Sequence, residues 1–264
     1  MAEKIKIGFF DSGVGGISVM SCAKKHLPNA DYIYYADTEH VPYGTKTRDE
    51  IISYADGAVR YLIEAGADVV VIACNTATSM AIEYLRAKYR TPIIGMEPAI
   101  KPAAITHPGK DILVCATAVT IAGKKLHTLI ENTFATGSDP TLVALPELVT
   151  FAESGDFDKN TVVSYLSTQI DKCRKYAAVV LGCTHFTYFK DSFRDFLDGV
   201  DIIDGTMGTV RHIESLVCGK YFEIEKVNSL PQTIYVCSGK IVNDEKKLSF
   251  FHSLEERTYT LYNI

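Results

Sequence analysis

The chain alternates short runs of apolar residues with longer segments in which apolar and polar positions repeat at helical spacing. Uninterrupted apolar runs such as 69–73 and 178–182 predict strands that are buried on both faces of a parallel sheet. Apolar residues three or four positions apart, such as Ile51, Ala55 and Ala58, predict helices instead. Strands and helices that alternate with short links favour right-handed crossovers, so the pattern predicts an α/β fold.

The same pattern gives approximate bounds for the elements. Thr47 and Glu50 form a predicted capping box at the start of one helix, and Gly66 marks its end. The predicted strands are 6–10, 31–36, 69–73, 92–95, 112–116, 141–145, 178–182, 201–203, 233–238 and 258–262. The predicted helices are a segment ending near Pro28, one that runs from the capping box to Gly66, and 76–88, 99–106, 119–131, 147–154, 160–175, 187–198 and 207–218.

We expect these elements to form two similar domains, each a doubly wound parallel sheet. A second unit begins near Glu97, and the helix that starts at Met207 returns the chain to the first unit. The predicted first domain is therefore 1–97 plus 208–264, and the predicted second domain is 98–207.

Two stretches of the chain are near copies, and each ends an apolar strand with a cysteine. Residues 70–76 contain Cys74 and residues 179–185 contain Cys183, one in each predicted unit. Ligands bind beyond the carboxyl ends of parallel strands, which is where both thiols fall. Both cysteines precede predicted helix starts, where amides and the helix dipole lower a thiol pKa from about 8.5. Two such thiols facing one pocket suit a proton transfer that inverts a stereocentre.

Polar neighbours extend this candidate site. Asp11 ends the first strand, and His185 lies two positions after Cys183, so both can face the same cleft. A carboxylate and an imidazole near two thiols can transfer protons or orient an ammonium group. Neutral donors at the same strand ends can hold carboxylates without an arginine. These donors are Ser12, Asn75, Thr76, Thr117, Thr120 and Thr184.

Two other uses of these residues are open. Cys74, Cys183 and His185 together provide three metal ligands, although their spacing is not a known zinc pattern. Gly13 and Gly15 follow a strand and open a helix, with Asp37 at the distance expected of a ribose-binding acid. This dinucleotide signal is weak, because Asp11 would put negative charge beside a pyrophosphate.

The five other cysteines are interpreted as small buried side chains. They are Cys22, Cys115, Cys173, Cys218 and Cys237. An odd set of seven without regular spacing indicates reduced thiols in a cytoplasm rather than a disulfide framework.

Composition narrows the function classes. The 264 residues are 47% hydrophobic and 22% charged, which is typical of a globular protein with a large core. A net charge of −5 argues against nucleic acid as the main partner. We find no signal peptide and no apolar run near the roughly 20 residues of a membrane span, so no membrane association is expected.

Five sequence blocks together resemble the glutamate racemase family, within the cofactor-independent aspartate/glutamate racemase superfamily. The blocks are Asp11-Ser12-Gly13-Val14-Gly15-Gly16, Ala36-Asp37-Thr38 with Pro42-Tyr43-Gly44, Ala73-Cys74-Asn75-Thr76-Ala77-Thr78, Gly95 through Glu97-Pro98-Ala99-Ile100-Lys101-Pro102, and Leu181-Gly182-Cys183-Thr184-His185. The resemblance implies two α/β domains related by a pseudo-twofold axis, an active site in the cleft between them, and a homodimer.

The resemblance also implies roles for individual residues. Cys74 and Cys183 match the two catalytic acid/bases, assisted by Asp11 and His185. Residues that match the family's substrate contacts are Ser12, Tyr43, Gly44, Asn75, Thr76 and Thr184, while Glu153, Thr117 and Thr120 are further residues expected near the pocket. The implied activity interconverts L- and D-glutamate without metal or pyridoxal phosphate and supplies D-glutamate for peptidoglycan.

The chain departs from the family at a few positions. Phe186-Thr187 replaces the usual Tyr-Pro, which frees the start of the segment that holds His185. Gly123 replaces a frequent serine, and Asp204-Gly205 replaces a frequent Asp-Ser. The open alternatives are aspartate racemase, or another amino-acid racemase with the same chemistry, and a non-catalytic amino-acid-binding homologue.

Overall fold

The computed structural model describes residues 4–134, 139–220 and 231–264, with the backbone alone for 218–220. Its strands are β1 Lys6–Asp11, β2 Asp31–Ala36, β3 Val69–Ile72, β4 Ile93–Gly95, β5 Ile112–Ala116, β6 Thr141–Ala144, β7 Ala178–Leu181, β8 Asp201–Asp204, β9 Thr233–Cys237 and β10 Lys240–Ile241. Its helices are α1 Ile17–His26, α2 Arg48–Glu64, α3 Asn75–Lys88, α4 Ile100–Thr106, α5 Ala118–Ala122, α6 Lys124–Thr133, α7 Pro146–Ser154, α8 Lys159–Gln169, α9 Lys190–Phe196, α10 Thr206–Lys220 and α11 Glu245–Tyr262. Two 3₁₀ segments occupy Tyr43–Thr45 and Thr184–Phe189.

The strands form two sheets with matching strand order. The first sheet has the order β10-β9-β2-β1-β3-β4 and the second has β6-β5-β7-β8. All pairs are parallel except β9 with β10. The order β2-β1-β3-β4 is repeated as β6-β5-β7-β8, so the duplication expected from the sequence is present in the topology. The predicted α/β fold with parallel sheets is therefore confirmed.

Alternating residues of the buried strands pack on opposite faces of each sheet. In the first sheet, Phe9 and Val71 face one apolar cluster, whereas Phe10 and Ile72 face another. The cluster around Phe9 also contains residues of the second sheet such as Leu181. Burial on both faces explains why these strands are continuous apolar runs.

Local signals locate the start and end of α2 as predicted. Thr47 accepts from the amide of Glu50, whose carboxylate accepts from the amide of Thr47, which completes the capping box. Gly66 follows with φ +88°, a left-handed conformation that ends the helix.

The predicted strand at 258–262 is wrong, because these residues belong to α11. Thr and Tyr side chains favour strands locally. However, Phe251, Leu254, Thr258 and Leu261 are buried at spacings of three and four, which is one face of a helix. Asp244 begins this helix by accepting from the amide of Lys247.

Three predicted helix bounds also need correction. The helix expected at 160–175 ends at Gln169, because Ile170 is extended and the Asp171 carboxylate accepts from the amide of Cys173 in a turn. The helix expected at 119–131 is divided into α5 and α6 at the extended Gly123. The segment expected as a helix from 187 begins earlier, as the 3₁₀ segment Thr184–Phe189 before α9.

The chain passes between the two sheets at two neighbouring places. It leaves the first sheet after β4 and leaves the second sheet after β8, where Gly205 lies against the carbonyl of Glu97. A Cβ on Gly205 would approach that carbonyl oxygen to 2.6 Å, so only glycine allows this close packing. The domain limits at 97 and 207 stay a prediction. No helix among the described residues is long and apolar enough to cross a membrane.

Candidate active site

Cys74 lies two positions after the end of β3 and is the N-cap residue of α3. Its Sγ accepts from the amide of Ala77 at 3.4 Å and lies 3.5 Å from the Ser12 hydroxyl. The side chain is buried, with only 4% of the residue exposed. The sulfur is thus fixed between the loop after β1 and the start of α3.

The expectation that the helix start lowers the pKa of Cys74 is wrong. Burial, together with the nearby Asp11 carboxylate, raises the pKa of Cys74 to about 12. The Ser12 hydroxyl and the Ala77 amide oppose this shift but are weaker. Loss of hydration therefore outweighs the helix start, and Cys74 is a neutral thiol at physiological pH. Cys183 makes a weaker contribution in the same direction as Asp11.

Cys183 occupies the corresponding position beyond β7 and begins a chain of three side chains. Its Sγ lies 3.8 Å from Nδ1 of His185, whose Nε2 lies 2.6 Å from Oε1 of Glu153. The segment that follows Cys183 is 3₁₀ rather than α-helical, and Cys183 makes no capping bond. Cys183 therefore does not precede an α-helix as expected, and the polar group beside its sulfur is the His185 imidazole.

The contacts of His185 favour its charged form. Burial alone would lower its pKa, but the hydrogen bonds to Cys183 and Glu153 outweigh burial and hold the pKa well above its usual value. The two cysteines thus have different surroundings: Cys74 Sγ is buried beside the Ser12 hydroxyl and the Ala77 amide, and Cys183 Sγ lies beside the His185 imidazole.

Asp11 joins the two units at the end of β1. It is completely buried, and its carboxylate accepts from the Gly13 amide and from the Thr184 hydroxyl, each at 3.0 Å. Burial raises the pKa of Asp11 to about 6, although the positive His185 opposes the shift. Asp11 can therefore change its charge just below neutral pH.

Three threonine hydroxyls form a second polar contact between the units. Thr76 Oγ1 lies 2.9 Å from Thr117 Oγ1 and 3.2 Å from Thr120 Oγ1. Gly44 packs against Thr117, which a Cβ on the glycine would approach to 3.1 Å. The hydroxyls predicted to lie at matching strand ends are thus brought together.

Asn75 differs from its neighbours because its side-chain amide has no partner. It is 3% exposed, and neither Nδ2 nor Oδ1 makes a hydrogen bond. Buried polar atoms without partners are costly, so the Asn75 amide is available to bind a ligand or a water molecule.

Asn75 lines a cleft of about 820 Å³ between α3 and α6. Its inner wall includes Thr120, and its outer wall includes Arg48, Lys124 and Lys125.

Tyr43 makes its hydrogen bond to another side chain. Its hydroxyl donates to Asp37 at 2.6 Å, and the same carboxylate contacts His40 and the Ser238 hydroxyl. The sequence interpretation missed this role of Asp37, although its position at the end of β2 parallels that of Asp11. Asp37 fixes the loop that carries Tyr43 and Gly44.

The geometry does not favour either alternative site. The Gly13–Gly15 loop packs against Glu153, Thr184 and His185, so the space that a pyrophosphate would need is filled. Asp37, the proposed ribose ligand, is bound to Tyr43 instead. Among the residues that the structure describes, no group of three His, Cys, Asp or Glu side chains is arranged to hold a metal ion.

Most of the minor cysteines lie as interpreted. Cys22, Cys115 and Cys237 are buried, whereas Cys173 is exposed in the turn after α8, which corrects that interpretation. The side chain of Cys218 lies outside the described residues.

Comparisons with known proteins give a consistent result. Residues 18–213 match the Asp/Glu/hydantoin racemase family. A glutamate racemase from Halothermothrix orenii is 46% identical over 247 residues, covering 92% of this chain and 96% of the relative. One from Campylobacter curvus is 50% identical over 220 residues, covering 80% and 82%. The crystal structure of Escherichia coli glutamate racemase with L-glutamate and the activator UDP-MurNAc-ala has a TM-score of 0.82 at 25% identity, covering 97% and 96%.

Proposed function

Because the chain belongs to the Asp/Glu/hydantoin racemase family, we propose that it is a racemase that interconverts L- and D-glutamate and supplies D-glutamate for peptidoglycan. The observation that carries the proposal is the pair of buried thiols beyond β3 and β7, which are corresponding strands of the two sheets. A carbon held between them has one sulfur on each side. Such a pair can remove a proton from one face and deliver a proton to the other.

In the proposed reaction the two cysteines exchange roles. The Cys183 thiolate, paired with the His185 imidazolium, takes the α-proton from one enantiomer and becomes a thiol. The Cys74 thiol gives its proton to the opposite face of the carbanion and becomes a thiolate. The reverse reaction starts from these changed forms. Between turnovers, protons exchange with solvent through His185 and Glu153 on one side and through Ser12 on the other.

The surrounding groups support the substrate in this proposal. Ionised Asp11, held by the Thr184 hydroxyl, attracts the ammonium group, while the hydroxyls of Ser12 and Thr76 and the Asn75 amide donate to the carboxylates. These groups are all buried, so the substrate leaves water and lies among fixed dipoles. That environment lowers the barrier to ionisation of the weakly acidic α-carbon.

Replacing Asn75 by leucine tests the role of its unpartnered amide. We expect the free energy of unfolding to rise by about 1 kcal/mol, because a buried unsatisfied group is removed. We also expect KM for glutamate to rise by at least about tenfold, because a hydrogen bond to a charged carboxylate is lost. Urea unfolding and steady-state kinetics measure both effects. Ser79→Ala, a change in the wall of the same cleft, is the control that leaves both unchanged. An unchanged KM in Asn75→Leu would show that the Asn75 amide does not bind the substrate.

The pH dependence follows from Asp11. Its pKa is raised to about 6 by burial, so Asp11 is neutral at pH 5 and ionised at pH 7.5. Since the ionised form holds the ammonium group, kcat/KM should fall by about tenfold per pH unit below pH 6. Asp11→Asn should lower the plateau and remove this acid limb. A limb that persists in Asp11→Asn would assign the titration to another group.

A chiral assay on purified, metal-free protein with both amino acids tests the proposed function. We expect glutamate to be racemised faster than aspartate. The two substrates differ by one methylene, which is worth only about 1–3 kcal/mol in a pocket. If aspartate were racemised faster than glutamate, aspartate would be the preferred substrate and the proposal of glutamate would be wrong. Binding of glutamate without exchange of its α-proton would identify a non-catalytic homologue.

We also propose a homodimer in the cytoplasm. Both features rest on the family resemblance, and the six cysteines whose side chains are described form no disulfide, as in a reducing compartment. Sedimentation velocity at several concentrations tests the assembly, and a monomer at all of them would contradict it.

A further inference from the structure

The C-terminal helix α11 contacts the 3₁₀ segment Thr184–Phe189 through one arginine. Arg257 donates from Nε and Nη2 to the carbonyl oxygen of Tyr188, at 3.0 and 2.9 Å. Its guanidinium also lies over the ring of Phe157, 4.3 Å from the centroid. The two hydrogen bonds hold the backbone of Tyr188 against α11, and the ring of Phe157 limits the movement of the guanidinium.

The 3₁₀ segment depends on side chains as well as on its own backbone hydrogen bonds. A 3₁₀ geometry makes weaker hydrogen bonds than an α-helix. Position 187 is a threonine, so no proline ring limits the backbone there. Two hydroxyls add to the backbone bonds: the Thr187 hydroxyl donates to the carbonyl of Thr184 at 2.7 Å, and the Tyr188 hydroxyl donates to the carbonyl of Val14 at 2.9 Å.

The position of this segment decides the position of two groups in the candidate site. Thr184 donates to Asp11, and His185 lies between Cys183 and Glu153. Arg257 itself contacts none of these side chains, so it can act on them only through the backbone. A displacement of about 1 Å is enough to slow a reaction strongly when the displaced group takes part in the chemistry.

We propose that Arg257 is a positioning residue that holds the 3₁₀ segment so that His185 supports proton transfer at Cys183. This inference rests on the proposed racemase function. Arg257 acts mainly on the Cys183 side of the substrate, because His185 lies within the segment that it holds and Cys74 lies outside that segment. The sequence pattern gave no sign of it, because α11 was expected to contain a strand.

The test compares Arg257→Met and Arg257→Lys with the unaltered protein. Methionine keeps the apolar packing and removes both donors, while lysine keeps the charge and a single donor. We expect kcat to fall on the order of tenfold in Arg257→Met and less in Arg257→Lys. KM should change less than kcat, because Ser12, Asn75 and Thr76, the proposed donors to the substrate, lie outside the 3₁₀ segment.

A kinetic isotope effect separates positioning from a merely structural role. With glutamate deuterated at the α-carbon, slower transfer at Cys183 raises the isotope effect on kcat in the direction in which Cys183 removes the deuteron. In the opposite direction Cys183 donates, its step becomes limiting, and the isotope effect falls. We therefore expect the two isotope effects to move apart in both variants. If both stay at their original values, Arg257 is only structural and the proposal fails.

Lys24→Met is the matched control, because it removes a charged contact with the same helix. Lys24 of α1 donates to the Glu255 carboxylate of α11 at 2.9 and 3.0 Å, and this ion pair has no bond to the 3₁₀ segment. Its loss should lower the melting temperature and leave both isotope effects unchanged. If Arg257→Met does not fold, Arg257→Lys decides the question by the same measurement. Absence of α-proton exchange in the unaltered protein would instead contradict the proposed function, so the two failures are distinguishable.

Discussion

Replacing either Cys74 or Cys183 by alanine is expected to lower racemisation on the order of 10⁴-fold in both directions. Each turnover needs one group to remove the α-proton and another to return a proton from the opposite face. Both sulfur atoms are buried, so a water molecule does not readily substitute for the missing thiol. Chiral chromatography of the products, started from L- and from D-glutamate, measures the loss.

Each variant should still exchange the α-proton of one enantiomer with solvent, although it no longer racemises it. The remaining thiol still faces the α-proton of one enantiomer, so that enantiomer alone should exchange its α-proton with solvent deuterium. The two variants should exchange opposite enantiomers. Cys115→Ala is the control, because Cys115 is buried within β5 and packs in the apolar cluster that also contains Leu181. Near-normal turnover in either Cys74→Ala or Cys183→Ala would contradict the scheme of two acid/bases.

Replacing His185 by glutamine is expected to lower kcat by about 10² to 10³-fold. Glutamine cannot carry a positive charge, so the thiolate that the proposed reaction needs at Cys183 loses its neighbouring counter-charge. Glu153→Gln should cause a smaller loss of about tenfold, because a neutral amide supports the imidazolium less well than a carboxylate does. Steady-state kinetics in both directions, with circular dichroism to check folding, measure the effects.

The chain provides a matched control for this pair. His26 and Glu214 form a second imidazole–carboxylate contact at 3.0 Å on the exposed side of α1 and α10. His26→Gln removes a comparable contact away from the thiols and should leave kcat unchanged. If His185→Gln were as active as His26→Gln, Cys183 would not depend on the imidazole.

Much of the arrangement follows from the sequence because strand ends are easily located. Val69–Ile72 and Ala178–Leu181 are apolar runs that only a doubly covered strand explains, and a cysteine lies two positions after each. Parallel strands then bring Asp11, Cys74, Thr117 and Cys183 to the facing edges of their sheets. The duplicated strand order could be expected from the duplicated motif.

Other features depend on contacts between distant parts of the chain. The pKa of Cys74 is decided by burial, which local sequence does not reveal, so the helix start suggested the wrong direction. Residues 258–262 have strand-forming side chains, but α11 is selected by packing on one face. Arg257 and Tyr188 are 69 positions apart, and no local pattern connects them.

The most direct measurement of the central claim follows deuterium during the first part of the reaction in heavy water. We expect the first D-glutamate formed from protiated L-glutamate to carry deuterium at the α-carbon, while the remaining L-glutamate stays protiated. The same asymmetry should appear in the reverse direction, because one thiol removes the proton and the other delivers a solvent-derived deuteron. Product that retains the original α-proton would show that a single group transfers it, and the account of two opposed thiols would be wrong.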